Sequence, residues 1–232
     1  MSPARIIVAT VAIADVPEAL WERLAVLLSE SERARASRFH FERNRREYVA
    51  AHALKRLMLC EAAGGAPGDW AFEAEPGGKP RVAGGGGPHF NLSHCTGLVA
   101  CAVSPDVAMG VDVEPVDRRA PLDIADRYFA PDERAWLFAR PEAERPRGFF
   151  RLWTMKEAFI KATGKGISQG LQSFAIGFDP LGVSFPDPAR EEPGPWRLAE
   201  AAIGEGHLMG LAWRGPEAEV AVESVRLEGM IG

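Results

Sequence analysis

Residues 89–115 read HFNLSHCTGLVACAVSPDVAMGVDVEP. His89 to Ser104 predicts two strands turning back at Thr96-Gly97, since apolar runs flank a residue pair suited to a tight turn. Met109 to Glu114 alternates apolar and acidic residues, the two-residue period of a further strand, and Pro115 ends it.

Upstream of this stretch, residues 64–88 are crowded with Gly and Pro and leave room for one short strand near Trp70–Ala74. Before them, apolar residues recur at near-helical spacing and predict a helix from about Asn44 to Ala63, ended by Gly64-Gly65. The segment Arg33 to Arg56 carries eight Arg and Lys residues, which is either a solvated helix face or an anion-binding surface. Downstream, a Pro-rich charged connector runs to about Pro121. Two helical stretches follow, LDIADRYFAPDERAWLFAR with Pro131 opening a new helix, and RGFFRLWTMKEAFIKATGKG. Strand patterns close the chain in SFAIGF, WRLAEAAI, HLMGLAWR and AEVAVESVRL. Helices followed by antiparallel strands in each half predict an α+β protein with halves 1–108 and 109–232.

The 232 residues are 47% hydrophobic and 25% charged, an ordinary globular balance that excludes a disordered chain, a coiled coil or a collagen-like fibre. No run of about 18 apolar residues offers a membrane span, and the N-terminus meets Asp15 and Glu18 too early for a signal peptide. Three cysteines without a CxxC pair predict no disulfide framework and a reducing cytoplasm. Five histidines without HxxxH spacing give a zinc site no support. A net charge of −5 argues against nucleic-acid binding through overall charge.

Three constellations carry chemistry. In GVDVE, Asp112 and Glu114 share one strand face while Val111 and Val113 take the other. Two neighbouring carboxylates repel, and a divalent cation of the magnesium type relieves them; a wet acidic edge strand is the simpler alternative. In WTMKEAFIK, Trp153, Glu157 and Lys161 fall on one helix face, placing a possible ligand one turn before a possible phosphate-binding ammonium. Taken alone, that spacing is read more simply as a surface ion pair. In FNLSH, Ser93 and His94 are neighbours, so their side chains diverge on a strand and make a poor nucleophile pair; both suit donation to an anion. Thr163-Gly164-Lys165-Gly166 lacks the first glycine and the hydroxyl of a P-loop, and Gly84–Gly87 lacks a strand–loop–helix setting. Trp136, Phe138, Phe149 and Phe150 are either helix core or apolar contacts for a partner.

GGKPRV, FNLSH, GVDVE and WTMKEAFIKATGKGIS follow one another in this order. The combination resembles the Sfp-type 4′-phosphopantetheinyl transferases, from about Ser29 to Phe174. The resemblance implies a pseudo-dimer of two similar α+β halves in one chain, with coenzyme A in the cleft between them. It implies transfer of phosphopantetheine from coenzyme A to a serine of an apo carrier protein (acyl, peptidyl or aryl), as in a holo-[acyl-carrier-protein] synthase, releasing adenosine 3′,5′-bisphosphate. Asp112, Glu114 and Glu157 then match magnesium carboxylates. His94 and Lys161 match pyrophosphate contacts, Lys79 and Ser93 nucleotide-end contacts, and Arg33 and Arg35 the basic residues near the 3′-phosphate. Glu32, just before that pair, is acidic where the family pattern is basic. Glu157 is the first choice of general base and Glu114 the second. Fatty-acid, polyketide, nonribosomal-peptide and lysine-pathway carriers all fit. A monomer is expected, since two homologous halves supply what a symmetric dimer would otherwise build. A coenzyme-A-binding protein without transferase activity and a magnesium-dependent phosphohydrolase are the competing readings.

Overall fold

The computed structural model describes residues 3–231, with only the backbone of Ile167. In chain order the first elements are β1 (Ala4–Ala12), α1 (Trp21–Leu27), α2 (Glu30–Ala36), α3 (Glu42–Ala63), β2 (Phe72–Ala74), β3 (Pro80–Val82), β4 (His89–Cys95), β5 (Leu98–Ser104) and β6 (Met109–Pro115). They continue with α4 (Leu122–Tyr128), α5 (Pro131–Phe138), α6 (Arg145–Thr163), β7 (Ala175–Phe178), β8 (Leu181–Ser184), β9 (Trp196–Ile203), β10 (His207–Arg214), β11 (Ala218–Ser224) and α7 (Leu227–Met230). Helices and mostly antiparallel strands make the protein α+β. The chain divides into two compact units, Met1–Ala108 with Ala218–Gly232, and Met109–Glu217. Met1, Ser2 and Gly232, which fall within the expected halves, lie outside the described residues.

In the first unit the sheet order is β11-β1-β5-β4. β5 is antiparallel to both neighbours, with Gly97 at φ 82° in the turn that joins it to β4. That positive φ favours glycine. The Gly97 N–H donates to Glu47 Oε1 of α3 at 3.1 Å, tying the turn to the helix above it. α3 starts two residues before the expected Asn44, and buries Val49, Ala50, Ala53, Leu54 and Leu57 against the sheet. Where the sequence pattern assigned the last strand to the second half, β11 instead lies parallel to β1, Ala4 opposite Ala218 and Thr10 opposite Ser224. The expected strand over residues 218–227 stops at Ser224, and α7 follows.

In the second unit β10 is the centre of an antiparallel sheet, β6-β10-β9, and α6 lies across it. Two glycines make that contact close. A Cβ on Gly110 would stand 2.2 Å from the Ala158 carbonyl oxygen, and one on Gly210 would stand 2.7 Å from that of Thr154. Only bare backbone fits there. Phe149, Phe150, Leu152, Met155, Phe159 and Phe174 form the core beside this contact. Phe149 and Phe150 are therefore core residues, each worth about 1.5–3 kcal/mol of burial, rather than contacts for a partner. No sequence signal marks β3 or β8, which are three and four residues long among Gly and Pro.

Candidate active site

On β6, Asp112 and Glu114 share the face of Gly110, and that face looks at α6. The acidic pair is thus not the wet edge that alternation allows, and Asp112 is 5% exposed. The close helix seat lets α6 reach the strand. The Lys161 ammonium donates to Asp112 Oδ1 at 2.7 Å and to the Val111 carbonyl at 3.1 Å. One turn earlier Glu157 lies within the field of Asp112 and Lys161. Its carboxyl is pushed up by burial and by the Asp112 charge, and Lys161 offsets part of this. Glu114 is raised for the same reasons, burial first and Asp112 second. It accepts hydrogen bonds from the Trp153 side chain and from Arg118 Nη2. The face predicted to carry Trp153, Glu157 and Lys161 is therefore the face that meets Asp112 and Glu114.

Among the described residues no three acidic, His or Cys side chains converge as a ready-made metal group. Asp112 is turned to Lys161 and Glu114 to Arg118. The donor set still fits a hard divalent cation. All the donors are carboxylate oxygens, and burial together with mutual repulsion disfavours charge on Glu114 and Glu157, a cost such a cation relieves.

The remaining candidates lie in the first unit. Ser93 is buried and His94 exposed on β4, so their side chains do diverge. Lys79 sits in the turn between β2 and β3, where burial lowers its ammonium to about 8, with partial compensation from Glu75. Arg33 donates Nη1 to the Leu28 carbonyl. Arg35 and Arg33 line an open cavity of about 830 Å³ together with Tyr48, His52, Lys55 and Phe72.

Glu32, where the resemblance implies a basic residue, has a structural role here. It closes a capping box with Ser29 at the start of α2. It also holds three residues of α3, with His52 Nδ1 2.8 Å, Lys55 Nζ 2.7 Å and Arg56 Nη2 2.7 Å from its oxygens. Burial opposes its charge, but these hydrogen bonds hold its carboxyl far below the usual range. Arg56 passes the restraint on to the carbonyls of Pro67 and Trp70. Ser-x-x-Glu is a readable cap signature; its partners on α3 are not, because they lie 20 to 24 residues away.

The pattern of the 4′-phosphopantetheinyl transferase superfamily matches residues 108–212, and that of the 4′-phosphopantetheinyl transferase N-terminal region matches residues 16–106. The chain is 37% identical to the 4′-phosphopantetheinyl transferase HetI of Nostoc sp., over 80% of this chain and 78% of that protein. It is 36% identical to psf-1 of Bacillus pumilus, over 90% and 89%, and 32% identical to Sfp of Bacillus subtilis, over 67% and 68%. The chain belongs to the 4′-phosphopantetheinyl transferase superfamily and is of the Sfp type.

Proposed function

We propose that this protein transfers 4′-phosphopantetheine from coenzyme A to a serine hydroxyl of an apo carrier protein, as a holo-[acyl-carrier-protein] synthase acting on acyl, peptidyl or aryl carriers. The observation that carries the reading is the Lys161 ammonium fixed on Val111 and Asp112, one turn from Glu157. A serine O–P bond forms, a pyrophosphate P–O bond breaks, and adenosine 3′,5′-bisphosphate leaves. Asp112, Glu114 and Glu157 are the residues that would hold magnesium, which when bound neutralises the pyrophosphate and orients the leaving group. Lys161 and His94 donate to pyrophosphate oxygens, where charge grows during transfer. Glu157, with its raised carboxyl, takes the serine proton, with Glu114 as second choice. Arg35, Lys79 and Ser93 hold the nucleotide end. Arg33 is the weaker member of that set, since its guanidinium bonds Leu28.

No helix among the described residues is long and apolar enough to cross a membrane. Three cysteines without a CxxC pair suit a reducing cytoplasm, where we place the protein, as a monomer. Incubation with apo carrier, coenzyme A and magnesium tests the function. A carrier mass gain of one phosphopantetheine is expected, and Asp112→Ala should lower the rate of that modification about 10²–10³-fold. Free phosphopantetheine without carrier gain would make the protein a phosphohydrolase. Coenzyme A binding with neither product would make it a binder.

A further inference from the structure

Next to Glu157 in sequence is a group that the transfer reaction leaves unused. Lys156 is fully buried, and its ammonium donates to both Glu133 oxygens at 2.7 Å and to the Phe174 carbonyl at 3.0 Å. Glu133 Oε1 also accepts the Ile176 N–H at 2.7 Å, and Oε2 the Ala130 N–H at 2.9 Å. All three ammonium protons and both carboxylate oxygens are thus engaged. The rings of Phe174 and Phe129 enclose the ammonium at 4.2 and 5.4 Å. This node ties the middle of α6 to the start of α5 and to β7.

A buried ion pair is weak evidence for stability, because well-packed apolar residues of similar volume often serve the fold as well or better. What the pair supplies and apolar contacts do not is direction. Gly110 and Gly210 set how closely α6 approaches the sheet, and Lys161 on Asp112 and Val111 ties its last turn to the strand. Lys156 anchors it from another flank. Consecutive helix residues point about 100° apart, so Lys156 held on Glu133 leaves Glu157 one direction to face. At a side-chain radius of about 5–6 Å, a turn of about 10° moves the Glu157 carboxylate by about 1 Å. A displacement of that size is enough to cost about 10²-fold in rate.

We propose that the Lys156–Glu133 pair is a positioning device that fixes the rotation of α6 and so keeps Glu157 on the helix face that looks at Asp112 and Glu114. The proposal rests on the transferase reading for its kinetic arm alone. The main test is the double variant Lys156→Met with Glu133→Leu, which keeps volume and removes both charges together. Binding of Mn²⁺, followed by the loss of the free-ion paramagnetic resonance signal, reports the carboxylate cluster without any turnover. The expected result is a cooperatively folded protein with wild-type coenzyme A affinity, Mn²⁺ binding weakened at least fivefold, and kcat down at least tenfold with KM for the carrier unchanged. The milder Glu133→Asp, which keeps the charge pair and withdraws the carboxylate by one methylene, should shift Mn²⁺ affinity and kcat in the same direction at nearly unchanged Tm. Wild-type Mn²⁺ affinity in both variants would overturn the proposal. A double variant that no longer folds would also overturn it, because the pair would then be holding the fold rather than a direction. If the wild-type protein modifies no carrier, the transferase reading fails while the Mn²⁺ arm still judges the pair.

Discussion

Glu32 and Lys79 show how much a single charge can do in the first unit. Glu32 faces Lys55 and Arg56, and the side chains of all three are at most 10% exposed. Glu32→Gln removes the one anion and leaves two buried cations, a loss of about 3–5 kcal/mol. The urea midpoint should fall with the slope unchanged. The pH dependence follows from the lowered carboxyl. Folded Glu32 resists protonation while unfolded Glu32 titrates near 4.5, so its contribution is complete above that value and is lost as pH falls below it. The glutamine variant should lose that component of acid destabilisation, and an equally steep acid limb in both proteins would contradict the assignment. Lys79 has the opposite setting. Its ammonium is lowered to about 8 by burial, so it is a cation at neutral pH and largely neutral at pH 9. If it holds the 3′-phosphate, calorimetric affinity for coenzyme A should weaken about tenfold between pH 7 and pH 9, the scale of one charged hydrogen bond. Dephospho-coenzyme A and the Lys79→Met variant should both show the weaker dependence. Without ligand the sign reverses. The unfolded chain holds the Lys79 proton up to 10.5, so this residue's contribution to stability rises with pH between about 8 and 10.5.

At the scale of elements, the site is a helix laid on a strand, and Gly110 decides whether they meet. The three atoms nearest its added Cβ all belong to the α6 backbone, the Ala158 oxygen at 2.2 Å, the Ala162 nitrogen at 2.4 Å and the Lys161 carbonyl carbon at 2.8 Å. No side chain can rotate away, so Gly110→Ala must lift α6 by about 1 Å to reach ordinary contact. Overpacking of this kind costs about 1–3 kcal/mol, and each kcal/mol lowers Tm by roughly 2–4 °C for a chain of this length. The same lift carries Lys161 and Glu157 off Asp112, so kcat should fall about 10²-fold. A variant with normal kcat and an unchanged Tm would show that the seat has slack. Alternation in GVDVE is enough to place Asp112 and Glu114 on one face, and the four-residue spacing in WTMKEAFIK to place Trp153, Glu157 and Lys161 on another. Neither period says that the two faces look at each other. Parity fixes which side chains go together, whereas the side they face is set by where the helix packs, and Gly110 carries that information only once a helix is known to lie above it. The Lys156–Glu133 pair was out of reach for a related reason. Its partners are 23 residues apart and bind through a core that no local pattern describes.

Across the whole molecule, connectivity is what the sequence pattern tells least about. Helices with strands after them can be read in each half. That the last strand returns to the first cannot, because β11 and β1 lie at opposite ends of the sequence and their parallel pairing leaves no turn to recognise. The return is more than a backbone ladder. Val225 donates its N–H to the Thr10 carbonyl at 2.9 Å, and the hydroxyls of Thr10 and Ser224 meet at 3.2 Å. Leu227 is 2% exposed in the core of the first unit, where Met230 and Ile231 pack beside it. The cluster of Asp112, Glu114, Glu157 and Lys161 draws nothing from these residues, since all four belong to Met109–Glu217. A chain ending at Glu217 should therefore lose stability in one unit and keep the cluster of the other. β1 would become an edge strand with unpaired backbone groups, and the core would lose an apolar side chain worth about 1.5–3 kcal/mol for Leu227 alone. Hydrogen exchange reads this directly. Amides of β1 that face β11 should exchange at least tenfold faster in the shortened chain, while those of β6 and β10 keep their protection, because local opening follows the contacts each element has lost. Equal loss of protection in β1 and in β10 would show that the two units unfold as one, and that the last fifteen residues hold the whole chain rather than the first unit.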